Sequence, residues 1–137
     1  MTSRITTHKG SCHCGAVHFE VDTDLGTVSR CNCTICMKTA ITGSMVKPEA
    51  LRVVSGEDLL TAYGRKEALR FFCSRCGINC FGRGDIPELG GPFASFNVNA
   101  LDDVDPNAFT LIHWDGRHDN WQAGPHPAPW PIATASG

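Results

Sequence analysis

The sequence lacks long hydrophobic runs and an excess of positive charge. Apolar residues never continue for the roughly 20 positions that a membrane-spanning helix requires, and the first ten residues lack the apolar centre of a secretory signal. Twelve Lys and Arg stand against fourteen Asp and Glu, and the formal net charge of -2 does not suit a protein that binds a nucleic-acid backbone. We therefore expect a cytoplasmic protein with no membrane or nucleic-acid partner.

Helical periodicity is also scarce. No segment longer than about ten residues carries a clean 3.6-residue period, and the longest strand-free region, 31–39, has room for only about two helical turns. A chain of 137 residues with 42% apolar residues is enough for one domain with a modest core. The sequence therefore predicts a mainly β fold.

Short strands are predicted from alternation and from apolar runs between Gly and Pro residues. The clearest alternation covers 17–21, where Val, Phe and Val are separated by His and Glu. Further strands are predicted at 28–30, 41–46, 51–54, 59–63, 68–72, 93–100 and 109–114, with 59–63 and 68–72 forming a hairpin. Four prolines follow Gly124, so we divide the chain into a domain at 8–123 and a Pro-rich tail at 124–137, which wraps the surface or is disordered.

Cysteine is abundant for a chain without an export signal. Seven of the eight cysteines fall into tight clusters. The clusters are Cys12 and Cys14, then Cys31, Cys33 and Cys36, then Cys73 and Cys76. In a reducing compartment, one- and two-residue spacings favour thiolate metal ligands over disulfides.

The first and last clusters together predict a closed structural zinc site. Cys12, Cys14, Cys73 and Cys76 form two pairs, each followed by a glycine that suits a tight turn. Four thiolates complete a tetrahedron around zinc and leave no position for a substrate. Such a site would tie an early strand to a late one. The alternatives are two disulfides or four free buried thiols.

The middle cluster predicts an open zinc site. Cys31, Cys33 and Cys36 offer three thiolates and leave a position for water, a carbonyl oxygen or an incoming thiolate, as in catalytic sites. One alternative is a second structural site closed by a fourth ligand. The candidates for that ligand are Cys80, His13 and His113. Another alternative is a redox Cys-x-x-Cys pair, although no β-α-β unit flanks it.

Three motifs in this chain resemble those of the glutathione-dependent formaldehyde-activating enzyme family, which includes centromere protein V-like members. They are Gly-Ser-Cys-His-Cys-Gly at 10–15, Cys-Asn-Cys-Thr-Ile-Cys at 31–36 and Phe-Cys-Ser-Arg-Cys-Gly at 72–77. The resemblance extends over about 10–121. It implies a small zinc-bound β-tent fold of short antiparallel strands, with a structural zinc on the four cysteines and a catalytic, readily lost zinc on the three.

The resemblance also implies an activity. The family forms a carbon–sulfur bond between glutathione and formaldehyde, giving S-hydroxymethylglutathione, and is classed as a lyase. The implied partners are therefore a glutathione-like thiol and a small aldehyde, and the implied catalytic residues are Cys31, Cys33 and Cys36. The centromere-protein relatives suggest the alternative of a zinc-stabilised protein- or chromatin-binding module without catalysis.

Glutathione carries two carboxylates, so its pocket should contain cationic or amide donors. Lys38 and Arg75 are favoured over Arg30 and Arg70, although each could be an ordinary solvated charge.

Other residues near the open site have two interpretations each. Asn32 and Thr34 could bond a sulfur or a substrate oxygen, or could cap the local turn. Four aromatic residues could shield the open zinc from water or could simply be core: Phe96, Phe109, Trp114 and Trp121. Cys80 is expected to be a small buried residue.

Overall fold

The computed structural model describes residues 4–132, which form ten β-strands, one short α-helix and several 3-10 turns. In chain order the strands are β1 (Thr6–Ser11), β2 (His18–Thr23), β3 (Ser29–Cys31), β4 (Gly43–Val46), β5 (Leu51–Ser55), β6 (Leu60–Arg65), β7 (Ala68–Cys73), β8 (Asn79–Ile86), β9 (Gly91–Asn97) and β10 (Ile112–Trp114). The helix, α1 (Thr34–Thr39), lies in the region where only short helical structure was expected. The prediction of a mainly β fold is confirmed.

The strands form two sheets. A three-stranded sheet has the order β1-β2-β5, and a seven-stranded sheet has the order β10-β3-β4-β9-β8-β7-β6. Neighbouring strands are antiparallel except for β10 and β3, which pair in parallel. That parallel pair matters for the site because it places Trp114 opposite Cys31.

The core lies between the two sheets. Phe71, Phe81 and Phe96 are cross-strand partners on β7, β8 and β9, so their side chains share one face of the seven-stranded sheet. Phe19 of the three-stranded sheet packs against that face, with its ring centroid 5.8 Å from that of Phe81. Burying each of these rings contributes about 1.5–3 kcal/mol, so the aromatic layer holds the sheets together.

The opposite face of the seven-stranded sheet, which we call the outer face, carries the residues that alternate with this core. Arg70, Gly82 and Ser95 are consecutive cross-strand partners on it. Helix α1 approaches the same face, since Arg70 is hydrogen-bonded to Cys36. The aromatic core and the cluster of Cys31, Cys33 and Cys36 therefore lie on opposite sides of the seven-stranded sheet.

Two strands escaped prediction, β1 and the longest strand, β8. Glycines at 82 and 84 interrupt the apolar alternation of β8. They are there because neighbouring backbone comes too close for a side chain: a Cβ atom on Gly82 would lie 2.8 Å from the carbonyl oxygen of Leu69, and one on Gly84 would overlap that of Glu67. The glycines that allow β8 to pack here are therefore the same residues that interrupt the alternation from which a strand is predicted.

The predicted strands at 93–100 and 109–114 are shorter than expected. Strand β9 ends at Asn97, whose side chain accepts a hydrogen bond from the backbone N–H of Asn99 and so caps a 3-10 turn. Only the last three residues of 109–114 form a strand.

The described part of the tail wraps along β10. His113 and His126 exchange two backbone hydrogen bonds of 2.8 and 2.9 Å, and the indole N–H of Trp130 donates to the carbonyl oxygen of His113. Residues 133–137 of the predicted tail lie outside the described residues, and the domain boundary at 123 stays a prediction. Among residues 4–132, no helix is long and apolar enough to cross a membrane.

Close packing at Gly84 gives a stability prediction. Gly84→Ala should lower the free energy of unfolding by about 1–3 kcal/mol, because the new methyl group meets backbone that cannot move aside. Gly43→Ala is the matched control in the same sheet, since its Cβ would find its nearest neighbour at 3.9 Å. Urea unfolding measures both variants. Equal stability of the two would contradict the packing described for β8.

Candidate metal centres

The four cysteines of the first and last motifs come together. Their Sγ atoms all lie within 4.8 Å of one another. The Sγ atoms of Cys12 and Cys14 are 3.6 Å apart, and those of Cys14 and Cys73 are 3.7 Å apart. A zinc tetrahedron with bonds of about 2.3 Å has sulfur–sulfur edges of about 3.8 Å, whereas a disulfide is only about 2.05 Å long. The arrangement therefore fits a closed metal site and excludes disulfides between these pairs.

Two tight turns present these sulfur atoms. Gly15 and Gly77 have φ values of 79° and 78°, the left-handed conformation expected after each cysteine pair. Their N–H groups donate to the carbonyl oxygens of Cys12 and Cys73 and close the turns. Hydrogen bonding from the backbone, chiefly at Cys14, lowers the pKa of the Cys76 thiol to about 6. The backbone around Cys76 thus favours the thiolate form that a metal requires, whereas the neighbouring cysteines raise the pKa of Cys14.

The second cluster lies at the junction of β3 and α1. Cys31 ends β3, Cys33 precedes the helix and Cys36 lies in it, and their Sγ atoms are within 4.8 Å of one another. Hydrogen bonds from the thiols of Cys31 and Cys36 place the pKa of Cys33 far below its ordinary value. Contact with Cys31 and Cys33 raises the pKa of Cys36. One thiol of the cluster, Cys33, therefore ionises readily, and its thiolate opposes a second negative charge on Cys36.

None of the considered fourth ligands joins this cluster. Within residues 4–132, the group holds three cysteines and no additional Cys, His, Asp or Glu. Cys80 is fully buried near the four-cysteine cluster, and burial raises its pKa to about 12, so it is the small buried thiol expected. His13 lines a cleft of about 420 Å³ beside the first cysteine turn, and His113 is paired with the tail. The three-cysteine cluster is thus open in the described structure.

Arg70 is the cation that the fold brings to the open cluster. Its Nη2 donates to Cys36 Sγ at 3.4 Å, and the side chain is half-buried on the outer face. No ion pair joins Arg70 to a carboxylate in the described part of the chain. The guanidinium therefore balances the charge of the thiolates and keeps donors for another anion.

The two cations that the sequence favours for a substrate carboxylate have exposed side chains. Lys38 is exposed in the last turn of α1, and Arg75 is exposed, with only its backbone N–H bonded to Cys73 Sγ. Arg30 donates to the hydroxyl of Thr42. The preference for Lys38 and Arg75 as carboxylate-binding cations stays a prediction. The contact of Arg70 with the open cluster was not predicted, because proximity in sequence to a cysteine does not reveal which strand lies beneath the helix.

Asn32 fixes the loop between the first two cysteines of the open cluster. It is 6% exposed, and its Nδ2 donates to Asp115 Oδ1 at 2.7 Å. Its Oδ1 accepts from the backbone N–H of Arg117 at 2.9 Å, and its carbonyl oxygen accepts from Arg117 Nε at 2.8 Å. Asn32 therefore does not cap its own turn, because both polar atoms of its side chain fasten the loop to the segment after β10. Thr34 begins α1 and is exposed.

Asp115 is the buried centre of this network. Besides Asn32, it accepts hydrogen bonds from His118 Nδ1 at 2.7 Å and from Asn120 Nδ2 at 3.3 Å. The bond from Asn32, followed by those from His118 and Asn120, lowers the pKa of the Asp115 carboxyl. Gly116 packs directly on the cluster, since a Cβ atom there would lie 2.5 Å from Cys31 Sγ. No sequence spacing predicts this contact over more than 80 residues.

Two of the four aromatic candidates lie beside the open cluster. Trp114 is the register partner of Cys31, and its ring centroid is 6.0 Å from that of Trp121, which in turn packs on Gly116. Phe96 is fully buried in the core and Phe109 packs against the core. Of the two interpretations given for these aromatic residues, Phe96 and Phe109 fit the core interpretation. Shielding of the open site by Trp114 and Trp121 stays a prediction.

A small β domain with one closed and one open cysteine cluster is the class of protein that these features define. The sequence model of the glutathione-dependent formaldehyde-activating enzyme family matches residues 7–112, and the chain belongs to this family.

The chain is similar to two known proteins. A curated protein of Halomonas elongata, whose name gives it provisionally as a glutathione-dependent formaldehyde-activating enzyme, is 35% identical over 77% of this chain and 72% of its own length. The crystal structure of a Rhodobacter sphaeroides protein superposes with a TM-score of 0.66 and 32% identity, covering 77% of this chain and 98% of that one.

The network predicts that Asn32 stabilises the domain. Asn32→Ala should lower the free energy of unfolding by about 1–3 kcal/mol, because it leaves buried groups of Asp115 and Arg117 without a partner. Asn107→Ala, at an exposed turn, is the control and should change stability by less than about 0.5 kcal/mol. Urea unfolding of both variants tests this. A neutral Asn32→Ala would show that the network does not hold the cysteine loop.

Proposed function

We propose that this chain is a zinc-dependent enzyme that adds glutathione or a related thiol to formaldehyde or another small aldehyde, a carbon–sulfur lyase reaction. The observation that carries the proposal is the open three-cysteine cluster on the outer face, which has no fourth ligand within residues 4–132. Membership of the family supports the thiol and aldehyde as substrate classes.

Two zinc ions per chain follow from the donor sets. The structural ion would be held by Cys12, Cys14, Cys73 and Cys76, and the catalytic, more readily lost ion by Cys31, Cys33 and Cys36. Zinc with three thiolate ligands supplies an open position that can polarise a carbonyl oxygen or hold a thiolate. Thiolate ligands favour zinc over the hard cations magnesium and calcium.

The surrounding residues have separable tasks in this proposal. Arg70 offsets the negative charge of the cysteines, and its remaining N–H groups can bind a substrate carboxylate such as those of glutathione. Trp114 and Trp121 cover one side of the cluster and limit the approach of water. Asn32 and Asp115 hold the cysteine loop in one conformation.

We also propose that the protein works in a reducing compartment such as the cytoplasm. All eight cysteines are unpaired. Free thiols held as metal ligands persist where glutathione and thioredoxin keep them reduced.

Replacing one cysteine of the open cluster tests the function. Cys33→Ser should remain folded with one zinc ion, because this cluster lies outside the core. It should form the carbon–sulfur bond no faster than the uncatalysed reaction, because the proposed catalytic zinc site has lost a ligand. Zinc content, circular dichroism and a screen of thiols against aldehydes are measured on the zinc-loaded protein, with Cys80→Ser as the control. Retained activity would sink the assignment of the open cluster. A wild type that holds one tight zinc and is inactive on every pair would favour the binding-module alternative.

Replacing one cysteine of the closed cluster tests the structural site. Structural zinc contributes on the order of 10–16 kcal/mol of apparent binding free energy in zinc peptides, and a domain of this size has a net stability of only about 5–15 kcal/mol. Cys76→Ser should therefore be largely unfolded or insoluble, whereas Cys80→Ser should fold normally. Circular dichroism and zinc content distinguish them. A folded Cys76→Ser protein that binds two zinc ions would mean that other residues form the structural site.

A further inference from the structure

We infer that His118 is the proton-transfer group of the open site and that Asp115 is its positioning residue. This inference rests on the proposed thiol addition. It concerns a histidine that no motif indicates and that the cysteine clusters do not need for binding metal.

The reaction requires a proton to move. When a thiol adds to an aldehyde, a carbon–sulfur bond forms and the carbonyl π bond breaks. The proton leaves the sulfur, and a proton must reach the new hydroxyl oxygen. No oxidant or reductant takes part, so one group that accepts a proton and returns it completes the balance. Histidine is the side chain best suited to this task near neutral pH.

The geometry of the pair assigns the two ring nitrogens. His118 Nδ1 lies 2.7 Å from Asp115 Oδ1. A carboxylate can only accept, so Nδ1 carries the proton and donates, and the lone pair lies on Nε2. Asp115 is 5% exposed while the His118 side chain is 43% exposed, so a fixed carboxylate orients an accessible imidazole. Within the described residues, nothing bonds Nε2.

The same carboxylate oxygen connects the imidazole to the cysteine loop. Asp115 Oδ1 also accepts from Asn32 Nδ2 at 2.7 Å, and Asn32 lies between Cys31 and Cys33. Gly116, in the 3-10 turn that contains His118, packs on Cys31 Sγ. His118 is therefore placed by the residues that place the open cluster.

The other charged groups around the pair are already engaged. Arg117 is bonded to the carbonyl oxygen of Asn32, and Asp119 accepts from the indole N–H of Trp121 at 2.7 Å. Across the turn, Gly116 is the residue that contacts the open cluster, at Cys31 Sγ. Among residues 4–132, Asp115 is the one acidic group bonded to His118.

The chain contains a matched control. His8 also directs Nδ1 at a carboxylate, 3.1 Å from Asp103 Oδ2. His8 lies on β1 of the three-stranded sheet, and Asp103, in a turn distant in sequence, is half exposed. This is also a histidine–aspartate pair, but Nε2 of His8 is 3.0 Å from Thr6 Oγ1, and in the described part of the chain the pair has no hydrogen bond to the cysteine loop.

The experiment compares His118→Gln, Asp115→Asn and His8→Gln in the zinc-loaded full chain. Steady-state rates with glutathione and formaldehyde are measured from pH 5 to 9, after subtraction of the reaction in buffer, together with zinc content and circular dichroism. His118→Gln should lower kcat by about 100-fold or more with little change in KM, and should change the pH dependence of kcat. His8→Gln should stay within about twofold of wild type.

Chemical rescue separates proton transfer from structure. Added imidazole should restore part of the activity of His118→Ala and should not affect Asp115→Asn, which keeps its imidazole but misplaces it. An active wild type with an unaffected His118→Gln would overturn this inference and leave the proposed function standing. Loss of zinc or fold in His118→Gln, without imidazole rescue of His118→Ala, would also overturn it. An inactive wild type would contradict the proposed function, and the inference, which rests on that function, would fail as well.

Discussion

The meeting of two cysteine turns is the constraint on which the rest of the structure depends. Cys12 follows the first strand of the three-stranded sheet, and Cys73 ends a strand of the seven-stranded sheet. Their turns place four sulfur atoms at the spacing of a tetrahedral metal site. The phenylalanine layer between the sheets is small, so a link between them at one end fixes their relative position as well as their stability. This is the kind of staple that a small β domain needs.

With the sheets fixed, one face of the larger sheet is filled by core and the outer face is free for chemistry. Arg70 projects from the middle of β7 to the cysteine cluster at the start of α1. The parallel pairing of β10 with β3 then brings the segment after Trp114 onto the same cluster. One buried carboxylate, Asp115, joins the cysteine loop to His118. The open cluster and its neighbours are therefore assembled from three separate stretches of chain, although the sulfur atoms come from only six consecutive residues.

The ease of prediction differs between these parts for a physical reason. The sulfur clusters could be predicted because ligands on a tight turn must be close in sequence and need a glycine such as Gly77 to close the turn. Strand β8 could not, because Gly82 and Gly84 are determined by how closely other strands approach and not by alternation. Of the partners of the open cluster, Asp115 was missed for the same reason, and Arg70 was named only as a less favoured cation. Arg70 and Asp115 are selected by sheet order, and neither lies beside a cysteine in sequence.

The central claim is that the closed cluster holds a structural zinc ion and the open cluster a catalytic, more readily lost one. Counting zinc under mild chelation tests this claim most directly. Zinc content and circular dichroism are followed together as a competing chelator is added to the purified, zinc-loaded protein. The account predicts two zinc ions per chain, one of which is lost early with the fold intact and a second whose loss accompanies unfolding. A single tightly held ion, or two ions that are lost together with the fold, would contradict it.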